Sequence, residues 1–153
     1  MEQMHREDEV KTILLRIFHN FAKFSEEDKD FFISQTSLIK VLRTVNILQS
    51  SCLSKYFLKQ NDVDLILKKV NPSSHRLNCN EFMNFIVILA SKLDLKTFEI
   101  NPKEAVVKLI KIHFEPFSNL IQEDLSNNML EGNNVNTVHN IHNTSRKIKL
   151  IFL

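Results

Sequence analysis

Apolar residues recur at three- and four-residue steps along the first part of the chain. Val10, Ile13, Leu14, Ile17, Phe18, Phe21 and Phe24 fall on one side of a helix predicted over residues 8–24. The polar run Ser25, Glu26, Glu27, Asp28, Lys29, Asp30 interrupts it. Leu38, Val41, Leu42 and Val45 mark a second helix over 35–47, capped by Ser34 or Thr36. Residues 48–59 show no period and read as a connector, anchored to the core by Leu53, Tyr56, Phe57 and Leu58.

Val63, Ile66, Leu67 and Val70 share one face of a third helix over 61–70, with Asn61 as its cap. Asn71 followed by Pro72 ends it, because a residue before proline is pushed out of the helical region. Asn78 with Glu81 three residues later has the form of a capping box. It opens a fourth helix whose stripe is Phe82, Phe85, Ile86, Leu89, Ala90 and Leu93. Asn101, Pro102 and Glu104 supply the cap, first-turn proline and third-position glutamate of a fifth helix. Val106, Leu109, Ile110 and His113 form its apolar side, and Pro116 should kink or stop it.

From Ser126 the chain is rich in asparagine and loses its apolar period, so the pattern divides it into a helical domain, 8–124, and a disordered tail, 125–153. The last stretch, 145–153, is basic and apolar and reads either as a docking peptide or as a terminus without a role.

Two units of helix, polar loop with one central apolar residue, and helix have the layout of paired EF-hands. The fold expected is all-α: an EF-hand-like paired helix-loop-helix bundle of about five helices. Ile33 and Leu77, the loop centres, are expected to join the loops in a short two-stranded bridge. With these residues at loop position eight, Glu26, Asp28, Asp30 and Ser37 occupy positions one, three, five and twelve of the first loop. Calcium needs a bidentate Glu at twelve and a Gly at six, where this loop has Ser37 and Phe31. The second loop keeps Glu81 at twelve but has Val70, Pro72 and His75 at one, three and six. Both loops therefore read as scaffolding, with no metal site.

The formal charge of +2 is too small for a dedicated nucleic-acid binder, and no stretch approaches the ~20 apolar residues of a bilayer span. The polar opening has no secretory character, and two cysteines, Cys52 and Cys79, make no disulfide framework, so a reducing compartment is expected. Gly132 is the single glycine, so phosphate-cradling glycine loops are absent. Asp62 and Asp64, two apart on a helix, point away from each other. His75 with Cys79, and His139 with His142, give pairs where a structural zinc site wants four ligands. No catalytic residue, cofactor or enzyme activity is expected.

Three segments carry a family resemblance: residues 15–24, residues 38–43, and above all the run Asp62, Val63, Asp64, Leu65, Ile66, Leu67, Lys68, Lys69, Val70. With 75–77, 80–82, 89–92 and 104–108 in the same order, the chain resembles the tubulin polymerisation-promoting protein family over 12–114. The resemblance implies a degenerate EF-hand-like domain that binds tubulin and promotes or stabilises microtubule assembly. It also implies a place in the cytoplasm and cytoskeleton, including cilia or flagella. Well-known members follow the domain with a basic, glycine-rich segment, where this chain has its asparagine-rich stretch. Lys68, Lys69, Lys92, Lys96, Lys103, Lys108 and Lys111 are the candidate contacts with an acidic tubulin surface, set against the ordinary reading of solvated lysines on amphipathic helices. The rival function is an adaptor that docks a partner helix in an apolar groove. A small metal-dependent enzyme, the third reading, would need clustered carboxylates or histidines that the spacing does not provide.

Overall fold

The computed structural model describes residues 2–48 and 58–130. The chain runs α1 (Glu2–Phe21), β1 (Lys23–Ser25), β2 (Asp30–Ser34), α2 (Gln35–Thr44), α3 (Gln60–Val70), β3 (Arg76–Leu77), α4 (Cys79–Leu93), α5 (Leu95–Ile100) and α6 (Pro102–Leu109). A π-helical turn, Ile110–Phe114, then leads directly into α7 (Glu115–Leu130). The protein is mostly helical, with one small antiparallel sheet in the order β1-β2-β3.

The most strongly apolar stripe builds the centre. Phe82, Phe85, Ile86 and Leu89 of α4 are fully buried. Against them pack Ile17 and Phe18 of α1, Leu38 and Leu42 of α2, Val63 and Ile66 of α3, and Phe114 and Phe117. Phe18 and Phe82 rings meet at 5.5 Å and Phe21 and Phe117 at 5.7 Å. Fully burying each such side chain contributes about 1.5–3 kcal/mol relative to leaving it in water, which explains why this stripe fixes the bundle.

The helix starts follow local chemistry. Ser34 caps α2 by accepting from the Ser37 amide at 3.2 Å. Asn78 and Glu81 make the reciprocal capping box, at 2.9 and 3.0 Å. Asn101 accepts from the Glu104 amide at 3.3 Å, ahead of Pro102 at the first position of α6. α3 starts one residue earlier than expected: Lys59, not Asn61, holds the cap position, and Asp62 accepts the Lys59 amide at 3.0 Å.

The sheet joins the two loops. Ile33 pairs with Leu77, and both are fully buried, as the loop-centre pattern expects. A third strand enlarges the expected two-stranded bridge: Lys23, Phe24 and Ser25 pair with Phe32, Phe31 and Asp30. α1 therefore ends at Phe21, and Phe24, assigned from the sequence to the helix face, lies on the edge strand and is 49% exposed. The cause is local. The hairpin satisfies the backbone of 23–25 through β2, while Phe24 packs on Phe31 at 5.2 Å.

Three further departures concern the second half. α5 adds a short helix that the apolar period did not mark, started by Asp94, which accepts from the Thr97 amide and hydroxyl at 3.3 and 2.8 Å. Pro116 neither stops nor breaks the helix. Proline carries no N–H, and here the preceding turn is widened, the Glu115 amide reaching back five residues to the Ile110 carbonyl. α7 then continues to Leu130, past the boundary at 124 read from the sequence. Of the connector, Leu58 is buried and its amide donates to the Ile47 carbonyl at 2.8 Å. Leu53, Tyr56, Phe57 and Cys52, and the stretch 131–153, lie outside the described residues.

Candidate functional site

The acidic loop of the first unit is engaged in a network of its own. Glu26 pairs with Lys29 at 3.5 Å, and Asp30 accepts the amide of Phe31 at 2.8 Å. Asp28 accepts the Ser25 hydroxyl at 3.0 Å and a short hydrogen bond from Arg76 of the second loop. The Arg76 guanidinium also lies over the Phe32 ring, 4.2 Å from its centroid. This tie between loops is 40% exposed or more on both sides, so it contributes at most about 1 kcal/mol and acts mainly as a register pin. Ser37, at the closing position, bonds to Ser34, and Glu81 belongs to its capping box. Among the described residues no group of three or more His, Cys, Asp or Glu is placed to hold a metal ion. His75 is exposed and Cys79 half-buried, and burial pushes the Cys79 thiol above its ordinary pKa, which keeps it protonated. His139 and His142 lie outside the described residues.

The seven candidate lysines divide into two sets. Lys103 pairs with Glu7 at 2.9 Å, Lys108 approaches Asp94 at 3.5 Å, and Lys111 pairs with Glu9 at 2.9 Å and Glu115 at 3.4 Å. These pairs tie α6 and the π turn back to α1 and α5, so the single basic edge expected from the sequence is broken by internal partners. The Glu9 hydrogen bond raises the Lys111 pKa, and Lys111 lowers that of Glu9. Lys68, Lys69, Lys92 and Lys96 are exposed and take part in no ion pair among the described residues. Lys68 and Lys69 close α3, while Lys92 and Lys96 flank Asp94 at the far end of α4.

Two surface features were not legible from spacing. One is an exposed aromatic cluster on the hairpin, where His19 meets Phe31 edge-on at 5.7 Å beside Phe24. The other is an apolar groove of about 380 Å³ between α1, α4 and α6, lined by Val10, Leu14, Met83, Ile86, Val87 and Val106. Val87 is 41% exposed in it, and the Glu7–Lys103 ion pair stands at its rim. The sequence signal for the groove was present but ambiguous: α4 is apolar on more than one face, carrying Met83 and Val87 outside its core stripe. No protein-family model, curated protein or solved structure matches the chain.

Proposed function

We propose that the protein is a non-catalytic interaction module built on two EF-hand-like helix-loop-helix units, and that its partner is tubulin or the microtubule. The antiparallel pairing of Ile33 with Leu77 supports the paired-loop reading, since it joins the centres of two loops that each lie between two helices. The partner rests on the sequence resemblance over 12–114 together with the two exposed lysine pairs. Lys68 with Lys69 and Lys92 with Lys96 have no internal carboxylate among the described residues to neutralise them, so their field is directed at solvent. Long-range attraction to an acidic polymer requires that arrangement, and two separate pairs, one closing α3 and one at the junction of α4 and α5, offer more than one point of contact.

Charge reversal tests it. Lys68→Glu with Lys69→Glu, and separately Lys92→Glu with Lys96→Glu, should each reduce the fraction of protein that pellets with polymerised tubulin. Lys103→Glu, which removes an internal ion pair, should reduce it less. Equal pelleting of all three variants and the wild type would reject the lysine contact.

The apolar groove favours a second reading, an adaptor that docks a partner helix, because its floor offers the aliphatic surface that such helices bury. Under that reading Val87→Glu abolishes partner capture while the lysine variants retain it.

A further inference from the structure

We propose that a cavity where α4, α6 and the π turn meet takes one phenylalanine side chain of an acidic partner segment, while Lys92, Lys96 and Lys108 receive the carboxylates on either side of it. The inference rests on the reading of Lys92 and Lys96 as a partner contact, and names what that contact recognises. The cavity holds about 210 Å³ and is lined by Ala90, Leu93, Ala105, Leu109, Ile112 and His113. Ala90 of α4 and Ala105 of α6 are both buried, and each offers only a methyl, so the two helices leave between them a space that larger residues would fill. A dry apolar cavity of about 150 Å³ accepts benzene, so this one has room for one phenyl ring and not for two.

The π turn shapes the outer wall. An uninterrupted helix would carry Ile112 toward the core after Leu109; the widened turn leaves it at the surface, 58% exposed, at the mouth of the cavity. Exposed side chains exchange rotamers within nanoseconds, so Ile112 sets a width that an entering side chain adjusts. The neighbouring wall is fixed. His113 is half-buried, and its Nδ1 donates to the Val45 carbonyl at 2.9 Å, since a carbonyl has no proton to give. A ring seated there exchanges water for the methyls of Ala90 and Ala105 and the branches of Leu93 and Leu109.

Charge selects what accompanies the ring. Lys108 lines the cavity, and its ammonium, 54% exposed, stands 3.5 Å from Asp94, near the limit of a hydrogen bond. Asp94 is also bonded by the Thr97 hydroxyl at 2.8 Å and amide at 3.3 Å, so Lys108 can turn outward without leaving that carboxylate bare. Lys92 and Lys96 lie one and two residues from the lining residues Leu93 and Asp94, are exposed, and enter no ion pair among the described residues. Glu99 and Glu104, exposed on α5 and α6, do not line the cavity. Three lysines against the one carboxylate of Asp94 leave the opening with an excess of positive charge, acting over a screening length of roughly 10 Å at 0.1 M salt. An acidic segment is therefore drawn in and a basic one turned away, while the ring fixes its register.

Methyl NMR on the full chain, titrated with two synthetic peptides, tests this: Glu-Glu-Phe-Glu-Glu, and the same peptide with serine in place of phenylalanine. In the phenylalanine titration the ring current should shift the Ala90 and Ala105 methyl signals, while the Ile17 and Ile66 methyls of α1 and α3 stay in place and verify the fold. The serine peptide should bind about tenfold more weakly, the loss of one buried ring, and leave both alanine methyls where they were. Lys92→Glu with Lys96→Glu should weaken the phenylalanine peptide several-fold, an effect that shrinks at high salt. Ala105→Leu, which fills the space without altering charge, should abolish the difference between the peptides; the wild-type comparison decides even where that variant fails to fold. Equal affinities of the two peptides for the wild type, or alanine methyls that do not move, would overturn the cavity as the seat of the ring. Those outcomes leave the microtubule contact standing wherever the lysine variants still lose pelleting. Binding of the phenylalanine peptide, with its alanine shifts, by a chain that never pellets with tubulin sinks that contact and keeps the cavity.

Discussion

Lys29 adopts φ 56° in the turn between β1 and β2, a left-handed conformation that costs a residue with a Cβ about 1 kcal/mol relative to glycine. Its exposed ion pair with Glu26 offsets little of that. Lys29→Gly should therefore raise the free energy of unfolding by about 0.5 kcal/mol, after the added entropy of the unfolded chain is subtracted. Urea denaturation checks it, and a destabilised variant would show that the turn is held by more than its backbone. Two carboxylates make a second case. The hydrogen bond from Lys111 holds Glu9 below its ordinary pKa of 4.5, and Thr97's hydroxyl and amide hold Asp94 below 3.8. A carboxyl whose folded pKa is lowered contributes stability that is complete above the ordinary value and is lost as pH falls through the folded one. The raised pKa of Lys111 works in the opposite sense: its contribution is present below 10.5 and fades as pH rises through the folded value. Unfolding free energy should thus decline on acidification below about pH 4.5, and Lys111→Met should flatten the part of that slope due to Glu9. The same acid slope in variant and wild type would show that the Glu9–Lys111 bond does not differ between folded and unfolded chains.

The helix that spans α6, the π turn and α7 changes phase partway along. Leu109 and Ile110 are buried, and the next buried residues are Phe114 and Phe117, while Ile112 is 58% exposed. In an uninterrupted helix Ile112 and His113 would follow Leu109 into the core, which is why the apolar period read from the sequence included His113. The extra residue of the π turn moves Phe114 inward instead and leaves His113 half-buried, its Nδ1 2.9 Å from the Val45 carbonyl. Phe114→Ala should therefore cost about 3–5 kcal/mol, and Ile112→Ala less than about 0.5 kcal/mol. Comparable losses would place the two side chains in like environments and remove the phase change. The main helices were legible because their stripes and caps agree: Asn78 with Glu81, Asn101 with Pro102, and Phe82 through Leu89 each point the same way. The hairpin and the π turn were not, because both override a local rule. Phe24 continues the helical spacing of α1 but pairs across strands, and Pro116 marks a break that a widened turn absorbs.

At the scale of the whole molecule, the loop centres were readable and the fate of the charges was not. Ile33 and Leu77 stand out as single apolar residues in polar loops, so their pairing follows from burial alone. Whether a lysine is directed at solvent depends on carboxylates far away in sequence: Glu7 answers Lys103 across 96 residues, and nothing in the spacing of either reveals it. The groove escaped for a related reason, since three helices distant in sequence line it. Of the seven candidate lysines, Lys68, Lys69, Lys92 and Lys96 are those in no ion pair among the described residues, and the proposed contact rests on them. Contacts between exposed charges weaken as salt shortens the screening length from roughly 10 Å at 0.1 M toward 3 Å at 1 M. The most direct measurement is co-sedimentation of the wild-type chain with polymerised tubulin at low and at high salt. A chain that contacts microtubules through these lysines pellets at low salt and is released as salt rises; a chain that stays in the supernatant at both, or pellets equally at both, contradicts that contact.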